Sequence, residues 1–90
     1  MNTEHEDRIL YAIQSNQFDK AKEYIAIAFK EEYELSKLLM YTAFIFEKNK
    51  QIAKAMRHYR AALDIDGTND VALYNLYRLG DASKEPIRYR

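Results

Sequence analysis

QFDKAKEYIAIAF, residues Gln17–Phe29, returns after a shift of 34 as QIAKAMRHYRAAL, residues Gln51–Leu63. Gln, Lys and two Ala coincide, and the pairs Phe18/Ile52, Ile25/Tyr59 and Phe29/Leu63 are apolar in both copies. Each copy carries a small, a large and a small residue at i, i+4 and i+7: Ala21, Ile25 and Ala28, then Ala55, Tyr59 and Ala62. That spacing places the three on one face of a helix. Small side chains let two helices approach closely, and the larger one fills the gap between turns. The same shift lays Leu39 over Leu73 and Met40 over Tyr74, so the period extends beyond the quoted stretch. A period of this length implies stacked helical units, each burying its face against its neighbours.

The composition of the 90 residues agrees. Two Gly and one Pro leave too few turn residues for a sandwich or barrel of short strands. A 48% hydrophobic and 31% charged chain suits one folded domain, residues 1–90, and argues against disorder. Without Cys there is no disulfide framework, thiol nucleophile or Cys-based zinc site. No apolar run approaches the ~18 residues of a membrane span. The acidic start (Glu4, Glu6, Asp7) does not read as a signal peptide. The expected address is cytoplasmic, with no membrane partner.

Local signals predict five helices. Thr3 and Glu6 form a capping-box pattern opening a helix over Glu4–Gln14, with Ile9, Leu10, Ala12 and Ile13 inward. Asn16 is positioned to cap a second, Gln17–Lys30, burying Phe18, Ala21, Ile25, Ala28 and Phe29. A third, Glu34–Lys48, buries Leu35, Leu39, Thr42, Ala43 and Phe46. A fourth, Gln51–Asp64, stops at Asp66-Gly67, where Gly67 is expected to turn left-handed. Thr68 or Asn69 caps a fifth, Asp70–Leu79, which Gly80 ends. Residues 81–90, with Ser83, Pro86 and three basic residues, read as a tail.

The middle unit, residues 36–69, resembles one complete repeat of the tetratricopeptide (TPR) family. The signature runs through Leu39, Ala43, Phe46, Ala55, Tyr59 and Ala62, and YRAALDIDGTN matches the usual close, with Gly67 where the family normally has Pro. Residues 2–35 resemble a degenerate repeat: SNQFDKA fits, but His5 and Arg8 stand at places usually apolar. NDVALYNLYRLGD resembles a solitary first helix, a cap over residues 70–80, with Tyr77 where a small residue is usual. The resemblance implies an all-α, TPR-like α-solenoid of two helix–turn–helix pairs plus a C-terminal capping helix. It further implies a groove lined by Lys37, Met40, Phe44, Glu47 and Lys48 of the third helix and Val71, Tyr74, Asn75 and Arg78 of the fifth, with Leu10 and Ile13 less directly placed. Met40 and Phe44 stand where carboxylate-clamping members carry Lys, Arg or Asn, so an apolar segment or amphipathic helix of a partner protein is the implied occupant.

Geometry gives that stripe a separate footing. Lys37, Met40, Phe44 and Glu47 recur at i, i+3, i+7 and i+10, apart from the core stripe Leu39–Thr42–Ala43–Phe46. Met40, Phe44 and Tyr74 are therefore expected to be exposed and to bind, the other reading being that they pack on the first helix or the tail.

Nothing points to an enzyme or a cofactor. There is no Gly-rich phosphate loop, H-E-x-x-H or G-x-S-x-G, and His5 and His58 read as surface histidines. Glu31, Glu32 and Glu34 read as a solvated turn rather than a cation site. Net charge is zero overall but uneven: residues 1–35 carry four Lys/Arg against eight Asp/Glu, residues 36–69 six against three, and residues 70–90 four against three. Lys50, Lys54 and Arg57 share one helix face, read as solvated. NKQIAKAM and TNDVALYNLYRL imitate a helix-turn-helix DNA reader, but RHYRAALDI keeps helical spacing past the place where its tight turn would fall. A pI near 6.7 also falls short of a nucleic-acid footprint. The function expected is therefore a protein-binding adaptor or co-chaperone, with a self-assembling helical module (a homo-oligomer) as the alternative.

Overall fold

The period of 34 is written into the backbone of two tight turns. The computed structural model describes residues 3–81 and 84–90, so Asn2 of the degenerate repeat and Ser83 of the tail lie outside the described residues. Described are α1 (Glu4–Gln14), α2 (Phe18–Lys30), α3 (Leu35–Lys48), α4 (Ile52–Ile65) and α5 (Asp70–Gly80), with no strand among the described residues. Asn16 between α1 and α2 and Lys50 between α3 and α4 have φ of 62° and 65°. Gln17 and Gln51 follow with φ/ψ of −92°/70° and −93°/70°. The amide of Gln17 donates to the Ala12 carbonyl (2.7 Å), and that of Gln51 to the Phe46 carbonyl (2.9 Å). Every one of these partners is separated from its counterpart by the sequence period.

The turns also revise the capping expectations. Asn16 does not cap α2; it supplies the left-handed residue that reverses the chain, a conformation Asn tolerates through its short polar side chain. Lys50 adopts the same conformation at a cost of about 1–2 kcal/mol, which the fixed hydrogen bonds on either side must offset. No capping box forms at Thr3, because its hydroxyl donates instead to Asp7 Oδ2 at 3.0 Å. Gly67 is not left-handed. Asp66 ends α4 in an extended conformation, and its carboxylate accepts from the Thr68 hydroxyl (2.6 Å) and amide (2.9 Å). Those two bonds, the hydroxyl's foremost, hold the Asp66 carboxyl below its usual range. Asn69 caps α5 as expected, accepting from the Ala72 amide at 3.1 Å. It also donates to Ser36 Oγ (2.9 Å), which donates to the Ala62 carbonyl (2.7 Å), so one chain of bonds joins α5, α3 and α4.

Packing follows the alanines. Ala21, Ala28, Ala55 and Ala62 are all fully buried, where α1 packs on α2 and α3 on α4. Ile9, Leu10, Ala12 and Ile13 form the buried side of α1, as the pattern predicts. On α3 the single-stripe expectation fails. Leu38, Met40, Tyr41, Ala43, Phe44 and Ile45 are buried, Leu39, Thr42 and Phe46 only half-buried, and Leu35 is exposed. The reason is topological: α3 is packed against α1, α2 and α4 and meets Tyr89 as well, so it has no single inward stripe. Phe29, expected inward, is exposed on α2. Tyr59 is fully buried, while Lys50, Lys54 and Arg57 stay exposed, with Lys54 Nζ 5.7 Å above the Phe46 ring. Helix α4 runs unbroken through Met56 to Ile65, so the tight turn of a DNA-reading motif has no place there.

The close approach at the alanines is directly checkable. Ala55→Leu should overpack the α3–α4 interface and lower stability by about 1–3 kcal/mol, read as a fall in the thermal midpoint. An unchanged midpoint would place Ala55 outside the tight contact.

Candidate functional site, the groove shared by α1, α3 and α5

The floor of the site is polar and buried. Glu47 of α3 and Arg78 of α5 pair at 2.6 Å with side chains 9% and 5% exposed. The Tyr59 hydroxyl of α4 donates to the same Glu47 oxygen at 2.9 Å. Burial first, and the Glu47 charge second, raise the Tyr59 hydroxyl well above its ordinary value, so it stays a donor at any physiological pH. Arg78 Nε and Nη2 also donate to Asn75 Oδ1, at 3.2 and 3.1 Å. Asn75, fully buried, donates to the Val71 carbonyl at 2.9 Å. Among the described residues every buried side-chain polar atom has a partner, as a low-dielectric site requires.

Across this floor lies the segment that reads as a tail. Asn75 Nδ2 donates to the Arg88 carbonyl (2.7 Å), and the Arg88 amide donates to Asn75 Oδ1 (3.0 Å). Arg78 Nη1 reaches the Glu85 carbonyl at 3.4 Å. Tyr89 sets its ring edge-on to Phe44, centroids 5.1 Å apart, and Phe44 in turn meets Tyr59 edge-on at 6.0 Å. Arg88 approaches Asp70 at 3.3 Å and lies 5.7 Å over the Tyr74 ring. Arg90 bridges to α1, reaching Glu6 and Asp7 at 2.8 Å each. The Arg90 hydrogen bond, with that of Thr3, holds the Asp7 carboxyl below its usual range.

The residues expected to line a groove are thus brought together, but not as expected. Met40 and Phe44 are buried, at 3% and 0% exposure, with Phe44 set between Tyr59 of α4 and Tyr89; the expectation of free apolar side chains is corrected accordingly. Glu47, Val71, Asn75 and Arg78 are buried with them. Leu10 and Ile13 belong to the core. Only Lys37, Lys48 and Tyr74 keep substantial exposure: Lys37 pairs with Glu34 at 3.2 Å, Lys48 reaches the Gln14 carbonyl at 3.4 Å, and Tyr74 flanks Arg88. Beside Tyr89 and Arg90 opens a cleft of about 360 Å³, bounded by Lys37, Met40, Asp70 and Val71.

Packing on the tail, the other reading of the stripe, is what Phe44 and Tyr74 show against Tyr89 and Arg88. Sequence reasoning did not single out Glu6, Asp7, Asp70 or the individual residues Ile87–Arg90. A signal was present. Ile87, Arg88, Tyr89 and Arg90 alternate apolar and basic, the period of an extended segment with one face turned inward. Elsewhere, His5 is half-buried rather than free, with Nε2 3.0 Å from Glu31 and its ring edge-on to Tyr33. His58 Nδ1 lies 2.8 Å from the Lys54 carbonyl, and its ring packs on Phe46. Among the described residues no three His, Asp or Glu side chains gather as a metal site would need. Comparison of the chain with protein-family models, curated proteins and solved structures gave no match.

Two outcomes follow from this geometry. Arg78→Met should strand the Glu47 carboxylate in the interior and cost about 3–5 kcal/mol, measured by urea unfolding; a cost below ~1 kcal/mol would mean that the pair is solvated. Acid should loosen the contact of residue 90 with α1. The bound Asp7 carboxyl is depressed, so the Arg90 contact is complete above the ordinary Asp value near pH ~4 and is lost as pH falls through the lower, bound value. NMR of Arg90 and Tyr89 between neutral and acid pH should show this contact loosening as Asp7 is protonated, and Asp7→Asn should remove that contribution while the Glu6 pair remains.

Proposed function

We propose that this chain is a protein-binding adaptor of TPR-like architecture, whose groove holds a peptide segment of a partner protein. One observation carries the reading: a fully buried Asn75 side chain, fixed by Val71 and Arg78, bonds both the amide and the carbonyl of one residue in an extended segment. Such a pair of bonds recognises main chain rather than a particular side chain, which is how a groove holds a peptide. The period of 34 in both turns supports the TPR-like reading of the architecture. A co-chaperone role and a cytoplasmic setting belong to the same proposal. No helix among the described residues is long and apolar enough to cross a membrane.

A second reading has its own observation. Tyr74 and Tyr77 on α5 are 41% and 64% exposed, at the end of the helical stack, where another copy could dock. Sedimentation across concentration separates the two: a stable oligomer lost in Tyr77→Ser favours self-assembly.

The groove reading is tested by placing a photo-crosslinking amino acid at Lys37 or Tyr74 on the rim, and at Arg57 on the outer face of α4 as a control. Partner adducts should form from Lys37 and Tyr74 and not from Arg57. Adducts from Arg57 alone would move binding to the basic face of α4 and end the groove reading.

A further inference from the structure

We infer that the groove is built for an extended peptide of alternating apolar or aromatic and basic residues, and that residues 84–90 are its resident occupant, displaced when a partner segment of the same chemistry binds. This rests on the groove reading above and names the occupant.

The floor is organised independently of the strap. Glu47, Arg78, Tyr59 and Asn75 satisfy one another and Val71 through bonds among α3, α4 and α5 alone. What Asn75 and Arg78 retain after that, one amide hydrogen, one acceptor position and Nη1, is directed at peptide groups of residues 85 and 88. Buried polar groups aimed only at main chain accept any segment that can lie extended in that register.

Side-chain preference then follows from the alternation. With residue 88 fixed by Asn75, residues 87 and 89 turn inward, where Ile87 and Tyr89 are half-buried against the core, and Arg88 and Arg90 turn out. The inner position at 89 is an aromatic seat on Phe44. The outer positions face carboxylates: Asp70 at 88, Glu6 and Asp7 at 90. The rim therefore selects basic residues on both sides of an aromatic one, in line with the acidic excess of residues 1–35.

The strap is also suited to leave. It forms no helix or strand, and Lys84, Glu85, Pro86, Arg88 and Arg90 are exposed. Pro86 disfavours helix at the residue before it, which keeps the segment extended. Its ion pairs on Asp70 and Asp7 are solvated, and exposed pairs hold weakly. The cleft beside Tyr89 and Arg90 is left unfilled, so a partner segment with a side chain seated there gains contacts that the strap lacks. Against this, a tethered segment acts at an effective concentration of order millimolar, so the strap screens the groove from weak ligands.

The probe is a fluorescent, acetylated and amidated peptide of residues 84–90, KEPIRYR, titrated by anisotropy into the full chain and into the full chain carrying Tyr89→Ser and Arg90→Ser. The loosened chain should bind at least about tenfold more tightly than the wild type, whose strap competes. A peptide with Tyr and the final Arg both replaced by Ser should bind about 30-fold more weakly or worse, added salt should weaken binding, and Asn75→Leu in the loosened chain should abolish it, circular dichroism confirming each fold. Equal binding of native and scrambled peptides, or none at millimolar peptide, overturns the proposal. If the loosened chain does not fold, NMR of the wild type serves: excess peptide should displace the strap from Phe44 and Asn75, and failure to do so overturns it. A concentration-dependent dimer abolished by Tyr89→Ser and Arg90→Ser would give the groove to a second copy's segment and likewise overturns it. Rim crosslinking from Lys37 and Tyr74 without peptide binding would remove this occupant while leaving the groove. Peptide binding with partner adducts only at Arg57 would leave the occupant and remove the adaptor reading.

Discussion

Glu47 and Arg78 meet at 2.6 Å in the interior, and the way α3, α4 and α5 are joined around the site depends on that contact. Two charges removed from water are costly, and only close geometry with further hydrogen bonds compensates for their desolvation. Here Tyr59 and Asn75 supply those bonds, so a single carboxylate ties α3 to α4 and α5. Apolar residues of equal volume would give comparable or greater stability. What the pair supplies is position: Arg78 fixes the Asn75 amide, and Asn75 determines which residue of the strap is read.

Much of this was legible in the sequence, and the limits of legibility have physical causes. Ala21, Ala28, Ala55 and Ala62 announced both helical pairs, because close helix approach tolerates little else at those positions. Tyr59 and the Asn69 cap were readable for similar reasons, each being set by its own helix. Side-chain caps at Thr3 and Asn16 were not: Asp7 takes the Thr3 hydroxyl while Glu6 turns to Arg90 and Tyr41, and Asn16 is used as the left-handed residue of the turn. The faces of α3 were misread because a helix covered from several sides buries residues all round, and an amphipathic stripe ceases to mark the inside.

The candidate site was legible in half. Met40, Phe44 and Glu47 are buried together, but Phe44 and Glu47 both meet Tyr59 of α4, and of the expected α5 residues it is Arg78 that pairs with Glu47. Exposure and packing on the tail were both open for Met40 and Phe44, and for Phe44 the packing holds: it lies between Tyr59 of α4 and Tyr89, the latter within a stretch following Pro86 that has the composition of a loop. Composition describes solvation, whereas the alternation of Ile87, Arg88, Tyr89 and Arg90 describes direction, and direction decided the outcome.

The distribution of rigidity bears on how such a groove can work. Asn16 and Lys50 sit in left-handed conformations that only the surrounding bonds sustain, so both turns are held at one geometry. Ser36 and Asn69 do the same for the junction of α3, α4 and α5. The helical walls are therefore fixed by bonds that do not involve the strap. The strap depends on them, through main-chain bonds to Asn75 and Arg78, the packing of Ile87 and Tyr89, a partly buried ion pair to Glu6 and solvated ones to Asp70 and Asp7. Segments with few buried contacts open at lower free energy than the elements beneath them. In the exchange we propose, the strap is therefore the part that moves, while the bonds at the two turns and at Ser36–Asn69 keep the width of the groove.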